Sequence, residues 1–369
     1  MGKKLRVGIL FGGRSAEHEV SLQSARSVID ALDHDKYEVV MIGIDKQGQW
    51  RLADASKFLL EADNPKLIKL NKDNAGTKVA LAPGAASEKI ITISGENQPG
   101  KIDVVFPVLH GPFGEDGTVQ GLLKLAGLPF VGASVLGSAV GMDKDVMKRL
   151  LRDAGLPIGK FQVVHRREQN KITFASVVDY LGLPLFVKPA NLGSSVGVHK
   201  VKSEQDFTRA LNHAFTFDHK IILEEFIPGR EIECSVLGNE EPIASVPGEI
   251  VPQHEFYSYE AKYIDDAGAL LKIPAQLSAS EVKEAQKLAV DTFKTLCCEG
   301  MGRVDLFLRN DGKFFVNEIN TIPGFTKISM YPKLWEASGL GYKQLIDRLI
   351  QLAIDRFKRD EELETSVAK

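Results

Sequence analysis

Two acidic residues lie in a segment whose pattern predicts a β-hairpin, and their pairing follows from the sequence. The segment is residues 302–320, where an Asp-Gly step between β-rich runs favours a two-residue type I′ turn. With that turn, Asp305 faces Glu318 and Arg303 faces Asn320. Residues two apart share one face of a strand, so these four side chains form a polar patch. The opposite face is predicted to be core and carries Val304, Leu306, Leu308, Phe315 and Ile319.

The opposed carboxylates predict a bound cation. Like charges about 5 Å apart destabilise a sheet unless positive charge lies between them. Asp305, Glu318 and the amide oxygen of Asn320 form a hard oxygen set suited to Mg²⁺ or Mn²⁺. The alternative is a solvated face on which Arg303 pairs with Asp305 and the carboxylates point to water. The next loop, 321–330, is rich in small and apolar residues, which favours the metal site.

A glycine- and serine-rich loop at 189–198 is the candidate for binding phosphate. The chain contains neither a P-loop motif nor the G-x-G-x-x-G fingerprint of dinucleotide-binding folds. The loop follows a predicted strand that ends at Lys188, and its backbone N–H groups, together with Ser194 and Ser195, offer donors to phosphate oxygens. Together with Lys144 and the metal patch, it predicts a nucleotide site.

Composition limits the classes of partner. The 369 residues are 44% hydrophobic and 26% charged, with a net charge of −3, which favours small molecules over nucleic acid or membrane as partners. Three cysteines without metal spacing, Cys234, Cys297 and Cys298, indicate free thiols in a reducing compartment. The first residues lack the pattern of a signal peptide, and no long apolar run occurs, so we expect a cytoplasmic protein.

Alternating strands and helices predict how these residues are positioned. A strand at 5–11, a glycine turn and an amphipathic helix begin an α/β unit with an open, mostly parallel sheet. Ligands of such sheets bind beyond the carboxyl ends of the strands, where Glu17 and His110 fall. We expect three domains, which are an N-terminal α/β domain at 1–133, a central α+β domain at 134–226 and a C-terminal α+β domain at 227–369. The C-terminal domain is expected to contain a mobile loop at 251–271.

Several motifs together resemble one family. Lys188 with its glycine loop, Glu224-Glu225, Glu231, Arg303-Val304-Asp305 and residues 317–320 resemble the ATP-grasp fold. The match narrows to the D-alanine–D-alanine ligase family on four segments, GRSAEHEVS at 13–21, HGPFGEDG at 110–117, MDK at 142–144 and YSYEAKY at 257–263. The resemblance covers nearly the whole chain and implies a nucleotide site between the central and C-terminal domains.

The resemblance implies an ATP-dependent, two-step condensation that supplies the peptidoglycan precursor. The carboxylate of one D-alanine attacks the γ-phosphate of ATP to give an acyl phosphate and ADP. The amine of a second D-alanine then attacks the acyl carbon and releases phosphate. Negative charge accumulates on the transferring phosphoryl group in the first step and on the tetrahedral oxyanion in the second. The protein is therefore expected to supply cations and hydrogen-bond donors rather than a nucleophile. The family also implies a homodimer.

The resemblance also assigns residues to ATP and the metals. Two Mg²⁺ or Mn²⁺ ions would be held by Asp305, Glu318 and Asn320. ATP would be bound by Lys144, Lys188, Ser194, Ser195, Glu224, Glu225, Phe226, Ile227, Glu231 and Lys262. Some members of the family carry a lysine beside adenine at the position of Glu225. The difference affects selectivity for the base only if the side chain at this position recognises adenine.

The remaining assignments concern the amino acids. Arg303 and the backbone N–H of Gly324 would stabilise the reacting carboxylate and the tetrahedral oxyanion. Glu17 would take the ammonium of the first D-alanine with His110 near its carboxylate, and Ser329 and the Met330 backbone would receive the second carboxylate. Glu17, Ser194 and Tyr263 resemble a hydrogen-bonded trio over the substrate, and the tyrosine favours a dipeptide over an ester.

Two other functions compete with this interpretation. Another carboxylate-amine ligase or carboxylase on the ATP-grasp scaffold would share Asp305, Glu318, Asn320 and Lys188, but Glu17, Tyr263 and Ser329 argue against it. A regulatory protein that holds ATP without turnover is disfavoured by an intact metal patch next to Arg303.

Overall fold

The computed structural model describes residues 3–53, 59–60, 69–70, 77–85, 88–93, 98–252, 269–326 and 328–364. Three main sheets, each with helices packed against it, follow one another along the chain. Among the described residues, no helix has the length and apolar character needed to cross a membrane.

The first sheet is open and mostly parallel, as predicted. Its elements are β1 (Leu5–Gly12), α1 (His18–Ala31), β2 (Tyr37–Ile44), β3 (Trp50–Ala53), β4 (Leu59–Leu60), β5 (Lys69–Leu70), β6 (Val79–Leu81), β7 (Ile90–Thr92), β8 (Val104–Val108) and α2 (Thr118–Leu125). The strand order is β3-β2-β1-β8, with β1 parallel to β2 and β8 and with β3 antiparallel at one edge. The pairs β4–β5 and β6–β7 form separate antiparallel ribbons.

The sequence also predicts that a short strand at 129–131 closes this sheet, and that prediction is wrong. Phe130 forms only an isolated parallel bridge to Val105. The carbonyls of Phe130 and Gly132 accept hydrogen bonds from the guanidinium of Arg356 at 2.7 and 2.5 Å. Pro129 has no N–H group that could donate a hydrogen bond to a neighbouring strand. The pairing therefore stops after one step.

The second sheet is antiparallel and delivers the glycine loop. Its region comprises α3 (Val135–Met142), α4 (Lys144–Asp153), β9 (Phe161–His165), a 3₁₀ helix (Arg166–Lys171), α5 (Phe174–Leu181), β10 (Leu185–Pro189), β11 (His199–Val201), α6 (Glu204–Phe217) and β12 (Lys220–Glu225). The order is β11-β10-β12-β9, and the apolar faces of α5 and α6 cover one side. The glycine loop connects β10 to β11.

The third sheet carries the hairpin. Its elements are β13 (Gly229–Gly238), β14 (Ile243–Ala244), β15 (Gly248–Pro252), β16 (Ala269–Lys272), α7 (Ala279–Thr295), β17 (Gly300–Arg309), β18 (Phe314–Asn320), α8 (Met330–Ala337) and α9 (Tyr342–Glu361). The order is β16-β15-β13-β17-β18, with β14 paired to β13. Helix α7 begins with a capping box, Ser278 and Glu281, and its apolar face packs beneath β13, β17 and β18.

The hairpin register at the polar patch is confirmed, although the turn differs from the prediction. Asp305 pairs with Glu318 and Arg303 with Asn320. The turn contains three residues, 310–312, because Arg309 N–H donates to Lys313 C=O at 3.0 Å and Gly312 takes φ +81°. That turn displaces the register by one residue, and a bulge at Asn317 restores it.

The displaced register changes one predicted core residue. Between the turn and the bulge, Leu306 pairs with Val316 and Leu308 with Phe314, and all four are buried. Phe315 was predicted in the core, but it is only partly buried and pairs with Phe307 on the other face. The extra turn residue accounts for this error because a slip of one residue exchanges the two faces of a strand.

The last helix returns to the first sheet. Leu345, Ile346, Leu349 and Ile350 of α9 are fully buried in one core with the β1 side chains Val7 and Ile9 and their neighbours. The spacing of these four leucines and isoleucines places them on one face of the helix. The first sheet therefore shares its core with the end of the chain.

Candidate active site

A cleft of about 210 Å³ lies between the second and third sheets. Nine of the ten residues predicted to bind ATP line it, and these are Lys144, Lys188, Ser194, Ser195, Glu224, Glu225, Phe226, Ile227 and Glu231. The tenth, Lys262, lies outside the described residues, as does most of the predicted mobile loop at 251–271. The structure thus brings together residues that are up to 87 positions apart, from 144 to 231.

A buried ion-pair group forms one wall of the cleft. Glu224 of β12 pairs with Lys188 of β10 and, at 2.8 Å, with Lys148 of α4. Burial alone would raise the pKa of Glu224, but the two ammonium groups outweigh it and hold the pKa below its ordinary value. Burial lowers the pKa of Lys148 against the pull of Glu224. Sequence reasoning missed Lys148, although it lies one helical turn after Lys144.

Glu224→Gln is expected to lower the free energy of unfolding by about 3–5 kcal/mol, because two buried ammonium groups lose their shared carboxylate. Urea unfolding of the ligand-free protein measures this. The control is Glu225→Gln, since Glu225 Oε1 accepts a hydrogen bond from Lys160 N–H at 2.7 Å and an amide oxygen can replace it. Equal stability of the two variants would contradict the prediction.

Lys144 connects the glycine loop to the hairpin. Asp143 caps α4 by accepting from Asp145 N–H and Val146 N–H, which fixes Lys144 at the first helical position. Its Nζ donates to Leu192 C=O at 2.7 Å and lies 3.3 Å from Glu318 Oε2. The Lys144 ammonium group therefore contacts both the glycine loop predicted to bind phosphate and the hairpin predicted to bind metal.

Hydrogen bonds within the polar patch hold the Asp305 carboxylate in place. Arg303 donates from Nε and Nη2 to the two oxygens of Asp305 at 2.7 and 2.8 Å, and Asn320 Nδ2 donates to Asp305 Oδ2 at 3.0 Å. The Arg303–Asp305 pair of the alternative interpretation therefore exists. The carboxylates are not on an open surface, however, because the side chains of Asp305 and Glu318 are only 15% and 23% exposed.

A third carboxylate extends this patch. Glu233 of β13 pairs in register with Asp305, and its Oε2 lies 2.8 Å from Arg303 Nε. Three acidic residues, Glu233, Asp305 and Glu318, thus occupy facing positions on three adjacent strands. Sequence reasoning did not single out Glu233. The alternation of Glu231 and Glu233 around buried Ile232 is the signal that places both acids on one face.

The donor set fits a hard divalent cation. The described part of the chain holds no group of three or more His, Cys, Asp or Glu side chains arranged for a metal. Asp305 and Glu318 nevertheless supply two carboxylates, and Asn320 adds an amide oxygen while its nitrogen is bonded to Asp305. Mg²⁺ is usually bound by one or two carboxylates together with substrate phosphates, so this set is sufficient.

Glu17 and the glycine loop meet at one end of the cleft. Glu17 is buried at the N-terminus of α1, and Ser194 Oγ donates a hydrogen bond to its Oε1. Two members of the predicted trio are therefore in contact, and the third, Tyr263, lies outside the described residues. The contact joins the first sheet to the glycine loop.

Glu115 is a further acid beside Glu17. It accepts hydrogen bonds from Gly111 N–H at 2.7 Å and from Ile322 N–H at 3.2 Å, so it links two loops. Burial, and then the charge of Glu17, raises the pKa of Glu115 to about 8. Glu115 belongs to the family motif at 110–117, but no local sequence pattern indicates its contacts.

His110 is buried and neutral. Because Ile322 C=O can only accept, the contact at 3.0 Å assigns the proton to His110 Nδ1, and Nε2 then accepts from Ser24 Oγ at 3.2 Å. Burial lowers the pKa of His110 to about 4. The ring therefore fixes the loop at Ile322 and brings no positive charge to the site at neutral pH.

This pKa predicts a pH dependence of stability. The unfolded chain takes up a proton on His110 below its ordinary pKa of 6.5, whereas the folded chain does so only near 4. Stability therefore falls as pH drops through this window, by an amount approaching about 3 kcal/mol at pH 4 and below. His110→Asn should lose this part of the dependence. Urea unfolding of both proteins across the window measures it, and parallel pH profiles would contradict the assignment.

The loop after the hairpin contains the remaining predicted residues. Ser329 Oγ accepts from Thr326 N–H at 3.0 Å, and a Cβ added to Gly324 would lie only 2.9 Å from this oxygen. Glycine at 324 therefore allows a close approach of Ser329. Met330 is buried as the first residue of α8.

The other end of the cleft is aromatic. Phe226 packs near Phe186, with ring centroids 6.2 Å apart, and Lys200 Nζ lies 4.6 Å from the centre of the Phe226 ring. Ile227 and Glu231 line the same end. A flat apolar wall with charged groups at its border suits a base and its ribose.

Family models match most of the chain. The model described as "D-ala D-ala ligase N-terminus" matches residues 6–133, and that described as "D-ala D-ala ligase C-terminus" matches residues 150–351. A D-alanine–D-alanine ligase of Oceanobacillus iheyensis is 57% identical over 363 residues, which cover 98% of this chain and 99% of that protein.

Solved structures are similar as well. The D-alanine–D-alanine ligase from Coxiella burnetii superposes with a TM-score of 0.86 at 42% identity, covering 98% of this chain and 97% of that one. The VanG D-Ala:D-Ser ligase from Enterococcus faecalis gives a TM-score of 0.83 at 36% identity, covering 95% and 100% of the two chains.

Proposed function

Because the chain belongs to the D-alanine–D-alanine ligase family, we propose a division of labour among its residues in the ATP-dependent synthesis of D-alanyl-D-alanine. The enzyme has the ATP-grasp fold and serves peptidoglycan synthesis. One D-alanine is activated as an acyl phosphate, and the amine of the second then displaces phosphate. The proposal concerns which side chains bind, orient and neutralise charge in these two steps.

ATP occupies the cleft between the second and third sheets. Lys144 and Lys188 bind its α- and β-phosphates, and the backbone and hydroxyls of Ser194 and Ser195 cover them. The nine cleft-lining residues support this assignment. Glu224, Phe226 and Ile227 border the base and Glu231 binds the ribose. The carboxylate of Glu225 is bonded to Lys160 N–H, which favours recognition of adenine through backbone groups. We assign Lys262 to the γ-phosphate.

Asp305, Glu318 and Asn320 would hold two Mg²⁺ or Mn²⁺ ions. When bound, the ions neutralise the charge that develops on the β- and γ-phosphates. The hard oxygen donors and their register on β17 and β18 support this set.

Arg303 binds the reacting carboxylate and then the oxyanion, with Gly324 N–H as a second donor. Glu17 receives the ammonium of the first D-alanine and orients the glycine loop through Ser194. His110, which is neutral, holds the loop that carries Gly324 rather than supplying charge. Ser329 and the Met330 backbone receive the carboxylate of the second substrate. We assign Tyr263 to the trio with Glu17 and Ser194.

Three broader assignments accompany this site. We assign the domains to 1–133, 134–226 and 227–369, which places one main sheet in each. The use of ATP and the free thiols of Cys234 and Cys298 support a cytoplasmic enzyme. A homodimer is proposed on family grounds alone.

The observation that carries the proposal is the opposed Asp305–Glu318 pair next to Arg303 at the border of the ATP cleft. The test is coupled ADP release with D-alanine, compared with L-alanine, D-lactate and D-serine. We expect release with D-alanine and formation of the dipeptide. The similarity to a D-Ala:D-Ser ligase makes D-serine the informative competitor. No ADP release with D-alanine would overturn the proposal, and release with another carboxylate alone would favour a different ligase of this fold.

A further inference from the structure

Arg303 lies between two carboxylates on neighbouring strands. It donates to both oxygens of Asp305, and its Nε lies 2.8 Å from Glu233 Oε2. All three side chains are largely buried, with 17% of Arg303, 15% of Asp305 and 8% of Glu233 exposed. The strand register sets this arrangement, because Glu233 is directly opposite Asp305.

This inference rests on the proposed function, in which Arg303 and a divalent cation compete for the Asp305 carboxylate. A carboxylate that accepts a bidentate pair of hydrogen bonds from a guanidinium has fewer lone pairs to offer a divalent cation. A cation bound to Asp305 also repels the guanidinium. Arg303 must therefore loosen its hold on Asp305 for the metal to bind, and yet it must stay in the site to meet the reacting carboxylate.

We propose that Glu233 is a positioning residue that retains Arg303 when Asp305 binds metal. A buried guanidinium that loses a paired carboxylate carries a large desolvation penalty. With Glu233 at 2.8 Å, Arg303 exchanges one carboxylate for another with little movement. Glu233 thereby lowers the free energy needed to free Asp305, and it strengthens metal binding through Arg303 rather than through contact with the metal.

The test measures Mn²⁺ affinity by electron paramagnetic resonance in the complex of the full chain with ADP. Glu233→Gln should weaken Mn²⁺ binding by about tenfold, because Arg303 then stays on Asp305. Glu233→Asp, which keeps the charge, should recover most of the affinity. Glu240→Gln, an exposed residue paired with Arg359, removes the same charge elsewhere and should leave the affinity unchanged.

A double-mutant cycle separates positioning from direct ligation. In an Arg303→Met background the competition for Asp305 is gone, so adding Glu233→Gln should change Mn²⁺ affinity less than about twofold. A loss of equal size in both backgrounds would overturn the proposal, because it would make Glu233 a metal ligand or a general source of negative charge. Wild-type affinity of Glu233→Gln would also overturn it.

Two controls separate the role of Glu233 from the proposed metal site itself. Thermal unfolding without ligands and ADP affinity without metal establish that each variant is folded and binds nucleotide. If the wild-type protein itself fails to bind Mn²⁺ with ADP, the proposed metal site fails. If the wild type binds and Glu233→Gln binds equally well, only the role of Glu233 fails.

Discussion

Arg303→Ala is expected to lower the rate of dipeptide formation by at least about 10²–10³-fold, the effect of removing one preorganised donor to an oxyanion. The loss should exceed that of a single donor because two more effects add to it. The reacting carboxylate loses its cationic partner, and Glu233 and Asp305 are left facing each other without the guanidinium between them. Initial rates of D-alanyl-D-alanine formation at saturating ATP measure the change.

The matched variant is Arg303→Lys. It keeps a positive charge between the two carboxylates but lacks the planar fork that donates to both oxygens of Asp305. We expect Arg303→Lys to restore thermal stability much more than catalysis. Near-normal dipeptide formation by either variant would remove Arg303 from the reaction.

Glu318→Gln is expected to have the second large effect, a fall in turnover of about 10²-fold or more together with a higher requirement for Mg²⁺. The amide keeps the shape of the side chain but removes the charge that faces Asp305 and contacts Lys144. The Mg²⁺ concentration for half-maximal ADP release and the limiting rate are measured together.

The control for this prediction lies on the same hairpin. Asp311→Asn removes a carboxylate from the turn, where Asp311 is exposed and pairs with Arg309. It should leave both the rate and the Mg²⁺ requirement unchanged. If Glu318→Gln behaves like Asp311→Asn, the metal set on β17 and β18 is wrong.

The hairpin shows how far local sequence rules reach. The strands, the polar patch and its pairing were predicted correctly, but only because two deviations cancel. The turn has three residues instead of two, and the bulge at Asn317 returns the register before Glu318. An Asp-Gly step is compatible with both turn lengths, and nothing in the local pattern marks the bulge, so Phe315 was assigned to the wrong face.

The contacts missed by sequence reasoning are all non-local. Glu233 meets Arg303 only because β13 pairs with β17, Lys148 meets Glu224 across α4 and β12, and Glu115 reaches a loop more than 200 residues away. Periodicity assigns a residue to a face, but it does not say which element that face meets. The other site residues were predicted from family motifs, because a motif identifies a residue without any knowledge of its contacts in the fold.

The return of α9 to the first sheet has a consequence for synthesis of the protein. The strands β1 and β8 are made within the first 108 residues, but the helix that completes their core ends at Glu361. On the ribosome this sheet must wait, with apolar side chains uncovered, until almost the whole chain has emerged. Nascent chains that stop before Tyr342 therefore lack a finished N-terminal core, and chaperones have their longest opportunity to bind at the part of the protein that is made first.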